Sequence, residues 1–212
     1  MRQYSEEIIK NWDCDLELSK MSDWDNYYWE YTSTVETLIE NYNVADDVVL
    51  PLLFLMRHTL ELAFKMNLIR LEKLSEENAK LNFKGKSGHS LGGLHSEFER
   101  QLQIIFAKHK INMDLQSEFL YANTILKEYA DIFNRLDNWS YAFRYPVQND
   151  GSTNNFKDSS NLNIADLIPT FKKTQLILEQ TFNLFWLCEQ TFVLLINIYG
   201  YRQLSVPNAN YW

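Results

Sequence analysis

Residues 50–71 read LPLLFLMRHTLELAFKMNLIRL, an apolar string that carries Arg57, His58, Glu61 and Lys65 through its middle. It is long enough for about six turns of helix. In a helix, residues four apart share a face, so Arg57, Glu61 and Lys65 form one polar stripe with an acid between two bases. His58, three residues before Glu61, borders that stripe. A charge stranded in a core costs on the order of 3–5 kcal/mol, so charges on so apolar a helix must be paired or functional. The stripe therefore predicts partners elsewhere in the chain.

The surrounding composition sets the class. With 212 residues, 46% of them hydrophobic and 15% aromatic, the chain can bury a sizeable core as one domain with an appended arm. The formal charge is −8, but the first 50 residues hold 12 acids against 3 bases, while the remainder is almost balanced at 16 against 17. The acidity belongs to an N-terminal arm, residues 1–44, and disfavours that segment as a nucleic-acid surface, which needs clustered Lys and Arg. Residues 45–212 form the bundle proper.

Cys14 and Cys188 are too few for a disulfide framework, and neither has a second Cys or a His at zinc-finger spacing. A reduced, cytoplasmic setting is expected. The start MRQYSEEIIKNWDCD turns acidic at once and has no apolar core of signal-peptide type. The most apolar late segment, residues 176–198, approaches a membrane span in length, but Glu179, Gln180, Asn183, Glu189, Gln190 and Asn197 interrupt it. It reads as a buried or dimer-forming helix, with no membrane partner.

Helix signals dominate elsewhere. Ser22 is placed to cap a helix from Asp23 to about Asn41, with Trp24, Tyr27, Tyr28 and Tyr31 at helical spacing. Pro51 suits the first turn of the central helix, which should end near Lys73 or run on to Lys80. Gly85, Gly88, Gly92 and Gly93 mark a turn, and Leu94 to Lys108 resumes a helical pattern. Asp114 is placed to cap a helix whose face is Phe119, Ala122, Ile125, Leu126, Tyr129, Ile132 and Phe133. That helix must stop before Pro146. Residues 148–163, QNDGSTNNFKDSSNLN, read as a long polar loop, and a last helix capped by Asn163 runs from Ile164 to about Tyr199. No two-residue periodicity stands out. The expected class is all-α, an up-and-down bundle of about five helices.

Three segments can supply partners for the stripe. Residues 86–94, KSGHSLGGL, free the backbone around His89. Asp137 lies at a helix end. The string FRYP at 143–146 sets Arg144 beside Tyr145, a pair suited to cradling an anion or stacking on a base.

The order of these motifs resembles that of HEPN-type helical proteins: Leu60 to Lys65 in an apolar helix, a Gly-His turn at Gly88 to Leu94, then Asp137 and Arg144 to Pro146. The resemblance covers roughly residues 45–198. It implies a four-to-five-helix up-and-down bundle, commonly a homodimer, of the kind found in toxin–antitoxin, defence and RNA-processing proteins. Ribonuclease members carry an Arg followed about four to six residues later by His. Here Arg57 and His58 are adjacent and His109 follows Arg100 by nine, so the usual nuclease pair is missing.

Two functional readings follow. In one, the chain is a non-catalytic module binding a nucleotide, an RNA or a protein partner through Arg57, Glu61, Lys65, His89, Asp137, Arg144 and Tyr145. In the other, it is a metal-independent ribonuclease or phosphodiesterase with a rearranged site, in which His58 or His89 is the base and Arg144 and Lys65 stabilise the phosphorane. The bland alternatives are a structural ion-pair network for the stripe and a backbone-bonding turn residue for His89. No cofactor or metal is implied: His89 and His95 have the wrong spacing for a zinc site, and Gly88-His89-Ser90-Leu91-Gly92 lacks the sheet a hydrolase elbow requires. Homodimerisation is expected through the final helix, where Phe182, Phe185, Trp186, Phe192 and Leu195 exceed what a small bundle can cover.

Overall fold

The computed structural model describes residues 23–41, 47–83, 85–109, 113–137, 140–148, 150–156 and 162–198, with side chains omitted at 86, 114–115 and 183–198. Among the described residues the fold is all-α, with five α-helices and no strand. They are α1 (Trp24–Asn41), α2 (Val49–Ser75), α3 (Leu91–His109), α4 (Met113–Leu136) and α5 (Ile164–Ile198), with a 3-10 turn at Lys86–His89. Each helix packs on the next, and α5 returns to close on α2.

The centre is α2. Every residue from Thr59 to Leu68 is buried, so this helix is covered on all sides by α1, α3 and α5. Phe64 meets Phe98 of α3 edge-on at 5.7 Å, and Asn67 donates from Nδ2 to the Leu178 carbonyl of α5 at 3.0 Å. The helix begins at Val49 with Pro51 in its first turn, and stops at Ser75 where Glu76 takes a left-handed conformation, φ 59°. The α4 face expected from the spacing is the one buried: Leu126, Tyr129 and Phe133 are sealed, and Tyr129 and Phe133 lie 5.0 Å apart.

Boundaries differ from the sequence expectation where a short polar side chain claims a backbone N–H. Asp23 is the cap of α1, its Oδ1 accepting from Asn26 N–H at 2.7 Å; Ser22 lies outside the described residues. Ser90 Oγ accepts from Gly93 N–H at 3.2 Å, so α3 starts at Leu91 rather than Leu94 and absorbs both Gly92 and Gly93. Asp114 falls inside α4 instead of before it. Asn163 does cap α5, its Oδ1 accepting from Ala165 N–H at 3.0 Å. The polar loop after Pro146 folds back on itself: Asp150 Oδ1 accepts from Ser152 and Thr153 N–H, both at 2.9 Å, and a single antiparallel bridge joins Val147 to Asn154.

The N-terminal arm docks through α1. Tyr28 is sealed against α5, its hydroxyl donating to Glu179, and burial followed by that carboxylate pushes the phenol well above its usual range. Trp24 meets Phe83 edge-on at 6.2 Å, whereas Trp29 is 46% exposed. No described helix is long and apolar enough to cross a membrane. Of the residues expected to form an uncovered face on the last helix, Phe182 is buried, with the Arg70 guanidinium 3.9 Å above its ring. Phe185, Trp186, Phe192 and Leu195 lie outside the described side chains.

The closest backbone approach is at Gly88, where a Cβ would sit 2.3 Å from the backbone C and O of Phe83. Gly88→Ala should therefore force the turn apart and lower stability by roughly 1–3 kcal/mol, as overpacking against backbone does. A thermal melt indistinguishable from that of the parent chain would show that the turn does not sit against Phe83.

Candidate functional site

The α2 register places Arg57, Glu61 and Lys65 in one line, and tertiary packing seals it: Arg57 and Glu61 are fully buried and Lys65 is 3% exposed. Glu61 is the hub. Its Oε2 accepts from Arg57 Nη1 at 3.1 Å, and its Oε1 accepts from Lys65 Nζ at 2.7 Å. The same Oε1 lies 2.8 Å from His89 Nδ1. A carboxylate flanked by two cations only accepts, so the shared network assigns the proton to His89 Nδ1. Burial works to raise the Glu61 carboxyl, but Lys65, by charge and hydrogen bond, and then Arg57 outweigh it and hold the group below its usual value.

Arg57 ties this hub to the two turns. Its Nη2 donates to the His89 carbonyl and its Nε to the Asp137 carbonyl at 2.7 Å. Burial pulls this guanidinium down from its ordinary value, opposed by Glu61 and Asp137; arginine starts so high that it stays cationic. The Asp137 side chain turns the other way, with Oδ1 accepting from Tyr141 N–H at 2.6 Å and Ala142 N–H at 3.0 Å. Its Oδ2 is buried 3.9 Å from Arg57 Nε and has no hydrogen bond among the described residues. Two of the three expected partner segments, those of His89 and Asp137, thus meet Arg57, Glu61 and Lys65 in one network.

The remaining candidates stand apart. Arg144 was expected as a partner of the stripe, but its guanidinium donates instead to the Ser140 carbonyl, from Nε at 2.7 Å and from Nη2, and the residue is exposed. Its guanidinium lies 5.6 Å from the Phe54 ring and 5.5 Å from that of Tyr145. Tyr145 is 47% exposed and packs on Tyr141 at 4.5 Å. His58 is half-buried between two aromatic rings: it stacks on Phe54 at 5.8 Å and meets Tyr31 edge-on at 4.6 Å. Burial first, then the Lys65 and Arg57 charges, lowers its basicity against the pull of Glu61.

Two features of the site escaped the sequence. Ser140 is buried with φ 58°, a conformation serine rarely takes, and nothing in its neighbours announces it. Phe54 reads as one more core residue of the apolar string, yet it is half-buried between His58 and Arg144. Ser90, within the elbow-like Gly-His-Ser string, is occupied as a helix cap. No group of three potential metal ligands is present among the described residues. A groove of about 190 Å³ between α3 and α4, lined by Leu102, Phe106, Phe119 and Asn123 among others, is separate from this network. The chain matches no protein-family model, and neither a curated protein nor a solved structure matches it.

The geometry distinguishes a sealed stripe from the two groups it presents. Arg57, Glu61 and Lys65 meet no solvent, so they act by holding His89, whose side chain is 42% exposed. Lys65, expected as a direct stabiliser of a phosphorane, is committed to Glu61 instead.

Glu61→Gln removes the charge that three donors share and turns an NH₂ group toward one of them. A loss of about 2 kcal/mol or more is expected in chemical denaturation; an unchanged unfolding midpoint would mean that the carboxylate is solvated. Acid should act at His58 as well. A histidine whose folded value lies below its ordinary 6.5 contributes fully above that pH and loses its contribution as pH falls through that window. The melting temperature should drop as pH falls below 6.5, and less so in His58→Phe, which keeps the stack and cannot protonate. Equal drops in both proteins would rule His58 out as the cause.

Proposed function

We propose that this chain is a HEPN-like helical module of the cytoplasm that binds a nucleotide, an RNA or a protein partner, without chemistry of its own, near the two connections that Arg57 clasps, the Gly-His turn and the Asp137 end that leads to the Arg-Tyr-Pro segment. The observation that carries the reading is the double clasp of Arg57. One buried guanidinium holds the His89 carbonyl and the Asp137 carbonyl, and so sets an imidazole and, a turn later, an exposed arginine and tyrosine on the surface. Rigidly held polar groups beside an exposed aromatic ring are what recognition of an anionic, base-bearing ligand requires. The motif order is the second support, and with it the proposal extends to a toxin–antitoxin, defence or RNA-related system.

A phosphodiesterase-type reading has one specific observation in its favour. His89 is bonded through Nδ1 to a buried carboxylate while its ring is half-exposed, as a general base would be. The stabilising role then falls to Arg144 alone, because Lys65 is sealed.

Incubating the purified protein with mixed RNA, while recording binding and cleavage together, separates the two. The module predicts binding without cleavage, weakened about tenfold or more in Arg144→Ala by loss of a charged hydrogen-bond donor. Cleavage abolished by His89→Gln would replace it with the enzyme. We also propose a homodimer formed through α5; a monomer by light scattering at micromolar concentration would count against it.

A further inference from the structure

We propose that one solvent-facing stripe of α1 is a docking surface for a basic polypeptide, a Lys- or Arg-rich segment of a partner protein that sets a cation on Trp29 and meets the carboxylates of Glu36 and Glu40. The stripe lies on a different element from the two connections clasped by Arg57, so it does not depend on ligand recognition there.

Helical register gathers these residues. At 3.6 residues per turn, Asp25, Trp29, Glu36 and Glu40 fall within about 60° of one another around the axis, in a row about 22 Å long. The neighbouring side of the helix, with Tyr28, Thr32 and Val35 buried, fixes α1 to the bundle. Trp29 is braced by the sealed Tyr28, whose ring meets it edge-on at 4.9 Å, and is still 46% exposed. Tryptophan is the best cation–π acceptor among the side chains and is enriched where partners bind.

The charges on α1 have one sign. The helix carries the acids Asp25, Glu30, Glu36 and Glu40 and no base. Asp25 is shared with Arg70 of α2 at 3.6 Å, whereas Glu36 and Glu40 are exposed and make no ion pair with a described residue. Glu40 stands in the last turn, where the helix dipole is already negative and a base is the stabilising choice. A local helix rule is thus broken on the same stripe that leaves an indole in water, and a bound cation relieves both.

Charge also selects among occupants. Nucleic acid would set phosphates against this row of carboxylates. A second copy of the chain would bring a further net charge of −8. A basic segment complements the row, and complementarity of this kind fixes register and speeds encounter. Arginine fits best, because its planar guanidinium both stacks on an aromatic face and pairs with a carboxylate.

The test is titration of the full chain, its tryptophans labelled at the indole nitrogen, with a synthetic Arg/Ser peptide and with the matching Glu/Ser peptide, read by NMR and calorimetry. The Arg peptide should shift the Trp29 indole resonance and bind less tightly as salt rises. Trp29→Ala should weaken it about fivefold or more. Trp29→Phe, which keeps a ring beside Tyr28, should recover part of that loss and covers the case in which alanine loosens α1. Glu36→Gln with Glu40→Gln should weaken binding about threefold or more at low salt while the chain melts no lower than the parent. Glu118→Gln with Glu128→Gln removes the same charge from exposed positions of α4 and should leave binding unchanged. Equal weakening by the α4 pair would reduce the binding to diffuse charge and overturn the site. Binding that Trp29→Ala leaves intact, equal binding of the Glu peptide, or a wild-type chain that ignores the Arg peptide would overturn it as well. A dimer that Trp29→Ala converts to a monomer in light scattering would give the stripe to a second copy and overturn the basic partner.

Discussion

A carboxylate placed in the middle of an apolar helix has to be neutralised, and in this protein that requirement ties two connections of the chain to the central helix. Glu61 is fully buried and receives Arg57, Lys65 and His89. Two of the three lie one turn away on the same helix, which any α-helical register supplies. The third comes from a different segment, and only the folded chain can deliver it. Each bond in the set removes part of the desolvation cost of the others, so the members act as a unit and not as separable pairs.

Arg57 extends that constraint to the surface. A guanidinium has donors in a rigid plane, and here they reach a carboxylate on its own helix, the carbonyl of His89 and the carbonyl of Asp137. Backbone carbonyls in tight turns would otherwise be left without partners once buried. The same side chain that balances Glu61 therefore fixes the shape of two connections separated by the whole of α3 and α4. The sealed stripe and the exposed His89 and Arg144 are two sides of one arrangement, in which the interior supplies rigidity and the turns supply contact groups.

The helices themselves were largely written in local pattern. The face of α4 follows from three-and-four spacing, and Pro51, Asn163 and the residues before Pro146 mark boundaries by rules that operate within a few residues. The start of α3 was missed because Gly92 and Gly93 look like turn residues, whereas the Ser90 cap carries the helix through them. Glycine weakens a helix by about 1 kcal/mol and does not forbid one. Within the site, the line of Arg57, Glu61 and Lys65 and the nomination of His89 and Asp137 as partners were legible, since an apolar helix cannot keep such charges unpaired. The separation of Arg144 from the stripe was not, because it depends on Ser140 adopting φ 58°.

By itself, then, the sequence determined the class, the central helix and the need for a buried ionic hub, because hydrophobic period and the cost of an unpaired charge act through near neighbours along the chain. Tertiary structure alone decided which groups stay inside and which reach solvent. Lys65 and His89 both bond to the same oxygen of Glu61, yet one is sealed and the other is half-exposed. That difference comes from how α1 and α3 cover α2, a matter of packing between segments distant in sequence, and no local pattern encodes it.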